Sequence, residues 1–313
     1  MMKKLIIVAL FAINLFANSS VFQSILGNVS INDTNNAINS AKALQKGISK
    51  ENFKKFLKDW KSVETLYLAG ELDYDYIDTP RFIDVFNNLK EDLNSQMQRV
   101  IDSSKNVQTS LYKNSFKTIN ALEYVISKKE LNSRDKEIIK VILDSIISHL
   151  EDIKEVYEAY LTNPTKDEKE EIAILVNSLV ASSYRLKEWR IGNPAGLSTK
   201  YKNDQKNNRA EYFLSQNSFE AIISILETQL KVVDKQEYKN LYSFSYEKSA
   251  KEEIDKVSNT IKQTLEEINK LNKDDFSNAS RIFELASYIH DLYYITIIEK
   301  LALKPEILDA DGD

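Results

Sequence analysis

The chain has 313 residues, of which 42% are apolar, enough to fill the core of a globular protein, and its formal net charge is -5. The 42 Lys and Arg are nearly balanced by 47 Asp and Glu, which excludes the broad basic face that nucleic-acid backbones require, so nucleic acid is not an expected partner. The sequence has no cysteine, which excludes disulfides, thiolate nucleophiles and cysteine-ligated zinc.

The N-terminal residues have the pattern of a secretory signal. A basic start at residues 3–4 is followed by a largely apolar run over residues 5–16, which is too short to span a bilayer, and then by small residues. We therefore predict a cleavable signal peptide over residues 1–19, cut after Ala17 or Ser19, and a periplasmic mature chain. A buried N-terminal helix is the less favoured alternative, because the run has no polar face. The rest of the sequence predicts no membrane span.

The remaining elements are predicted to be helical. Only six Gly and four Pro occur, and these residues are the strongest breakers of regular structure. Apolar side chains such as Ile139, Ile142 and Ile146 recur every three or four residues, as they do on one face of a helix, and no stretch has the alternation typical of a strand. The predicted helices cover residues 35–47, 50–69, 80–104, 107–128, 133–161, 166–189, 207–233, 246–271 and 277–303.

Long helices joined by short turns bury their apolar faces most simply as antiparallel bundles. The helical pattern is interrupted near the middle of the chain by Asn163 and Pro164, after which Thr165 and Glu168 fit a capping box. The predicted fold class is all-α, with two antiparallel bundles that each resemble a four-helix bundle. Residues 20–164 form the first bundle and residues 165–313 the second.

Four parts of the chain have a characteristic order and spacing. They are DWKSVE at 59–64 with YIDTPRFID at 76–84, TINALEY at 118–124, WRIGNPAG at 189–196 with EYFLSQNS at 211–218, and LAL at 301–303 with DADGD at 309–313. Together these segments resemble the imelysin family. The resemblance implies two helical-bundle domains, an envelope location and, for some members, a link to iron uptake or iron-regulated expression.

The second segment resembles the family's Gly-x-His-x-x-Glu motif in a degenerate form. The glycine position is Thr118, the histidine position is Asn120 and the glutamate position is Glu123. Residues three apart share a helical face, where His and Glu can hold a metal ion. An amide oxygen binds transition metals less well than imidazole and does not transfer protons near neutral pH. We therefore assign no catalytic residue and no certain cofactor, and expect iron or another metal to bind weakly at most, with Glu123 as the candidate ligand.

The candidate ligand-binding residues include two carboxylates outside the motif and one arginine. Glu123 lies among apolar neighbours, so its carboxylate needs a partner. A structural network or a helix-surface position is the alternative reading of that residue. Arg81 is expected to pair with a carboxylate in a bidentate manner, and fixing a loop is its favoured role. The full set is Asn120, Glu123, Glu64, Asp78 and Arg81.

Two further groups are expected to be structural. The chain contains two histidines, His149 and His290, and lone histidines on helices are most often solvated or at the edge of the core. The acidic terminus with Asp309, Asp311 and Asp313 lacks the length and the closing glutamate of a calcium loop, which favours a solvated tail or a docking contact over weak cation binding.

Three functions are consistent with these observations. The first is a non-catalytic envelope protein, linked to iron acquisition, that binds a small ligand or an envelope iron-uptake protein near Asn120 and Glu123. The second is a metallopeptidase of the imelysin type, which needs an open metal position, three protein ligands and a general base. The third is a scaffold whose family pocket has decayed. The missing motif histidine favours the first.

Overall fold

The computed structural model describes residues 19–87 and 91–304. All regular structure in these two ranges is helical, which confirms the all-α prediction. None of the helices described is both long enough and apolar enough to cross a membrane. The predicted signal peptide, apart from its last residue, and the acidic terminus lie outside these ranges.

Nine longer helices carry the numbering used below: α1 (Ile31–Lys46), α2 (Lys50–Thr65), α3 (Leu93–Asp102), α4 (Ile119–Ile126), α5 (Ser133–Thr162), α6 (Glu168–Arg185), α7 (Ser218–Val233), α8 (Lys251–Ile268) and α9 (Ser280–Asp291). Short α-helices occupy Val21–Ile25, Ala69–Leu72, Thr79–Ile83, Val107–Ser110, Asn193–Ala195, Leu241–Glu247 and Ile298–Lys300. Three π-helical turns, Leu26–Ser30, Leu186–Gly192 and Leu292–Ile297, prolong helices, and 3-10 turns occur at Tyr74–Tyr76, Asn114–Lys117, Asn207–Arg209 and Phe276–Asn278.

The longest helix forms where the apolar spacing predicts it. In α5 the stripe from Ile139 through Ile146 to Tyr157 is fully buried. The helix begins with a capping box, in which Asn132 and Asp135 satisfy each other's backbone N–H groups. The amphipathic pattern therefore determines both the length of this helix and the face that it buries.

Several predicted helices are interrupted. The helix predicted over 80–104 ends at Ile83, and helical structure resumes at α3. The range 107–128 contains a short α-helix, a 3-10 turn and α4, and the range 207–233 contains a 3-10 turn and then α7. The helix predicted over 246–271 is broken between Glu247 and α8. At the first break the carboxylate of Asp84 bonds to Trp60 and Lys61, so tertiary contacts outweigh local helix propensity there. The box predicted at Thr165 and Glu168 is also wrong.

The observed capping box of α6 lies two residues later than predicted. Asp167 is the N-cap residue and accepts from the backbone N–H of Glu170, whose side chain accepts from the N–H of Asp167. An aspartate caps a helix at least as well as a threonine, which explains the shift.

Helices from both halves of the sequence share one apolar core. The helix α1 packs along α2 and α5, and α2 also packs against α7, which in turn contacts α8. The connected core contains residues from Val21 to Ile298. The division into two bundles at residue 164 stays a prediction.

Candidate functional site

A lysine with no solvent exposure lies where the ends of several elements meet. Lys61, in the last turns of α2, is 0% exposed. Its Nζ donates to Glu64 Oε2 at 2.6 Å, to Asp84 Oδ2 at 2.8 Å and to Glu211 Oε1 at 2.5 Å. Burial lowers the pKa of Lys61, but the three carboxylates outweigh burial and hold it above its usual value. All three donors of a charged ammonium group are therefore in use.

A buried arginine links two of the same carboxylates from the opposite half of the chain. Arg190 is carried by the π-helical turn Leu186–Gly192. Its Nε donates to Glu211 Oε2 at 2.8 Å, and its Nη2 lies 2.8 Å from each oxygen of Glu64. Burial raises the pKa of Glu64, but Arg190 and Lys61 hold it below its ordinary value. These five residues, Lys61, Glu64, Asp84, Arg190 and Glu211, form what we call the ionic network.

Asp84 receives further hydrogen bonds from two aromatic side chains. It follows the helix Thr79–Ile83 with an extended backbone, and its Oδ2 accepts from Trp60 Nε1 at 3.0 Å and from the Tyr212 hydroxyl at 2.9 Å. Burial raises the pKa of Asp84, but the charge and hydrogen bond of Lys61 keep it well below its usual range. Tyr212 adopts a left-handed backbone with a φ of 58°, a conformation that is costly for a tyrosine and is often found at functional sites.

The degenerate motif lies beside this network. Thr118, at the family's glycine position, is the N-cap residue of α4. The Oδ1 of Asn120 accepts from the backbone N–H of Val85 at 2.7 Å. Glu123 Oε1 accepts from the backbone N–H of Ser215 at 2.8 Å and from its hydroxyl at 2.7 Å. Both motif side chains therefore hold other segments in place.

The protonation of Glu123 differs from that of the network carboxylates. Burial raises its pKa to about 7, the charges of Glu211 and Asp84 add to this effect, and the two bonds from Ser215 oppose it. No cation forms an ion pair with Glu123 within the described ranges. This carboxyl group therefore changes charge near neutral pH.

The arrangement does not fit a catalytic transition-metal centre. Glu64, Asp84 and Glu211 have oxygens within 4.8 Å of one another, a spacing suited to a cation, but the ammonium group of Lys61 already bonds to all three. The oxygen of Asn120 and one oxygen of Glu123 accept backbone hydrogen bonds. A catalytic zinc or iron site requires several free donors and an open position.

Some polar groups around the network have no partner among the described residues. The Nδ2 of Asn120 and the Oε2 of Glu123 make no hydrogen bond there. Arg185, half-buried at the end of α6, makes neither a hydrogen bond nor an ion pair. Burial lowers the pKa of Arg185, although Glu64 and Glu211 partly oppose this. A ligand with both hydrogen-bond donors and acceptors would satisfy such groups.

The structure brings together three of the five predicted binding residues. Asn120, Glu123 and Glu64 lie in or next to the ionic network. Asp78 and Arg81 instead form a single contact of 3.4 Å between side chains that are 59% and 61% exposed. The bidentate pair expected of Arg81 is therefore wrong, because both groups remain in water, where a salt bridge gains little.

His149 lies at the edge of the core, as the sequence predicts, but His290 does not. His149 stacks on Phe82 with ring centroids 5.4 Å apart. His290 is buried, and its Nδ1 lies 3.1 Å from the hydroxyl of Ser183. Burial lowers the pKa of His290 to about 4, so this ring is neutral at physiological pH.

Apart from Glu64, the residues of the network were not predicted from the sequence. They nevertheless occur in the segments that carry the family resemblance: Lys61 in the first, Asp84 at its end, and Arg190 and Glu211 in the third. The convergence of these segments in space is the signal that would have identified them.

The comparisons with known proteins bear on the family and the fold of the chain. The sequence profile described as "Imelysin", peptidase family M75, matches residues 29–297. The structure is similar to the crystal structure of an imelysin-like protein from Psychrobacter arcticus 273-4, with a TM-score of 0.76, 14% identity, and coverage of 91% of this chain and 96% of that one. At that identity the likeness shows the fold alone, and no curated protein matches significantly. Because the profile covers most of the sequence, the chain belongs to the imelysin family.

Proposed function

We propose that this chain is an exported, non-catalytic imelysin-like protein that serves iron acquisition by binding a small ligand or an envelope partner beside Asn120 and Glu123. The observation that carries the non-catalytic part is the position of Lys61, whose ammonium group bonds to three carboxylates that a metal would otherwise bind. The iron link rests on the family resemblance, and export rests on the N-terminal sequence.

The unpartnered groups support binding at this place. Asn120 offers a free N–H and Glu123 a free carboxyl oxygen, on one face of α4 and three residues apart. Their other atoms are fixed by Val85 and Ser215, so the free atoms are oriented before a ligand arrives. A pre-oriented donor and acceptor suit recognition of a carboxylate- or amide-bearing molecule better than capture of a bare metal ion.

Calorimetric titration of the purified chain tests this proposal. We expect little or no heat from Zn²⁺ or Fe²⁺, and binding of ferric citrate, used as a probe, that is lost in Glu123→Ala. The matched control is Glu130→Ala, which removes an exposed carboxylate and should leave binding unchanged. Ferric citrate binding that survives Glu123→Ala would remove this site from the proposal.

A peptidase assay addresses the competing function. Incubation of the chain with casein and Zn²⁺ should give no cleavage above the zinc blank, because no described group offers an open metal position next to a general base. Zinc-dependent cleavage that is abolished by Glu123→Gln would establish the metallopeptidase instead.

A further inference from the structure

A groove of about 220 Å³ lies between α3 and the segment that follows it, and it is lined by residues between 96 and 116. None of its lining residues belongs to the network or to the degenerate motif. The polar and aromatic groups that line it include Gln96, Arg99, Ser103, Lys105, Thr109 and Tyr112. Its size matches one ring with a substituent and is smaller than the usual site for a drug-sized ligand.

Arg134, a partly buried residue at the start of α5, holds the wall of the groove in place. The guanidinium of Arg134 donates to the carbonyls of Val100 at 2.9 Å, Ile101 at 3.1 Å and Lys105 at 2.8 Å, and to the hydroxyl of Ser110 at 3.2 Å. These bonds satisfy carbonyls at the C-terminal end of α3 that the helix itself leaves free. The groove is therefore formed before a ligand binds.

The groove carries positive charge on an acidic protein. Arg99 and Lys105 are exposed and form no ion pair within the described ranges, and no carboxylate lines the groove. Lys113, near the groove, is already paired with Glu91 at 2.8 Å. The charge of Arg99 contributes only a little to the lowered pKa of the exposed Asp92, which is set mainly by hydrogen bonds from Ser95. Two unpaired cations at one groove favour an anionic ligand.

An exposed aromatic ring adjoins these cations. Tyr112 is 73% exposed, and its ring lies edge-on to Phe116 with centroids 5.5 Å apart and an angle of 76° between the planes. The contact with Phe116 orients the ring while most of its surface stays in water. A tyrosine presented in this way can stack on a ring of a ligand.

From the cavity, the unpaired cations and the presented ring, we propose that this groove binds a small molecule in which a carboxylate is attached to a ring. The carboxylate binds between Arg99 and Lys105, and the ring packs on Tyr112. Arginine recognises a carboxylate with two parallel hydrogen bonds, which makes Arg99 the main determinant of specificity. Sugar acids and aromatic acids both have this chemistry.

Calorimetry or ligand-observed NMR on the purified chain tests the proposal with three probes. Glucuronate represents the sugar acids, 4-hydroxybenzoate represents the aromatic acids, and glucose is the neutral control. We expect at least one acid to bind, with glucose weaker by about tenfold or more, and we expect salt to weaken binding of the acid. Equal binding of glucose and glucuronate, or no binding of either acid at millimolar concentration, would overturn the proposal.

Variants locate the binding. Arg99→Gln and Tyr112→Ala should each weaken binding of the acid by about tenfold. Lys105→Gln removes the second cation, on the loop, and should also weaken binding. All three side chains are exposed, so the fold should persist, as circular dichroism can check. The matched controls are Arg281→Gln and Tyr74→Ala, which alter exposed residues of the same types elsewhere. Binding that is unaffected by all three groove variants would contradict the assignment.

Discussion

Lys61 and its three carboxylate partners depend on one another for charge compensation. A buried ion pair that loses one partner leaves an uncompensated charge, which costs more than the intact pair contributes. We expect Lys61→Met, which keeps most of the side-chain volume, to lower the free energy of unfolding by about 3–5 kcal/mol. Urea denaturation followed by circular dichroism measures this loss.

The control for that experiment is a lysine that lies on the same helix but in water. Lys55 pairs with Asp59 at 3.0 Å and is 65% exposed, so Lys55→Met should change stability little. If the two variants unfolded at the same urea concentration, the ionic network would not hold these elements together.

Because the pKa of Glu123 is raised, we expect the stability of the fold to depend on pH. Its pKa is raised from 4.5 to about 7 in the folded chain, so its contribution to stability is fully present below pH 4.5 and is lost as the pH rises through 7. Glu123→Gln keeps an oxygen that can accept from Ser215 but has no charge. We expect the stability of the wild type relative to this variant to fall by roughly 3 kcal/mol between pH 4.5 and pH 8.

Unfolding of both proteins at several pH values tests that expectation. Glu130→Gln removes an exposed carboxyl group and serves as the control, and its difference from the wild type should be nearly constant with pH. If the difference in the free energy of unfolding between the wild type and Glu123→Gln did not change over the same pH range, burial would not raise the pKa of Glu123.

The sequence predicted the chemistry of individual residues better than their partners. That Glu123 needs a polar partner follows from its apolar neighbours, and the structure confirms it. That the partner is Ser215, 92 residues further along the chain, depends on tertiary packing and has no local signal. The same holds for the contact between Asn120 and the backbone of Val85.

Helices whose apolar residues recur regularly at helical spacing were predicted well. Helices that end at the ionic network were not. The helix α5 has a continuous buried stripe and a capping box, so local pattern and tertiary packing agree. Over 80–104 the pattern favours a helix, yet Asp84 is extended because its carboxylate turns inward to Lys61 and Trp60. Functional sites are where local propensity is expected to lose to tertiary contacts.

The π-helical turn that carries Arg190 ends at a tightly packed glycine. A Cβ at Gly192 would lie 2.8 Å from the carbonyl oxygen of Lys187, 2.9 Å from Phe283 and 3.0 Å from Ser198. We therefore expect Gly192→Ala to lower the free energy of unfolding by about 1–3 kcal/mol through overpacking, as measured by thermal or urea denaturation.

Gly47→Ala is the matched control for this change. Gly47 follows the end of α1, its Cβ would approach no atom closer than 3.5 Å, and its φ of -142° suits any residue. Little change is expected there. Equal effects of the two substitutions would mean that loss of glycine itself, and not the crowding near Arg190, determines stability.

At the level of the molecule, the composition predicted the fold class correctly. A scarcity of glycine and proline together with helical apolar spacing leads to an all-α chain, and the match to the imelysin family agrees. The division into two bundles is harder to predict from sequence, because α2 and α7, from opposite halves, pack on each other and the apolar core is continuous. Such contacts between distant segments leave no periodic signal.

The proposed export leads to a prediction for the whole chain. Expression from its own first residue in a bacterium with a functional export system should release a periplasmic product that begins at residue 18 or 20. Intact mass and N-terminal sequencing of the periplasmic fraction measure this. Recovery of the uncut chain in the cytoplasm, under conditions in which a known secreted control is processed, would contradict the signal-peptide assignment.

We propose that the amide of Asn120 and the ammonium of Lys61 occupy the places where a transition metal would have to bind. Diffraction at the zinc and iron absorption edges, from crystals grown with each metal, tests it most directly. We expect no anomalous peak within bonding distance of Glu123, Asp84 or Glu211. A strong peak about 2.0–2.2 Å from two or more of these carboxylates would contradict it.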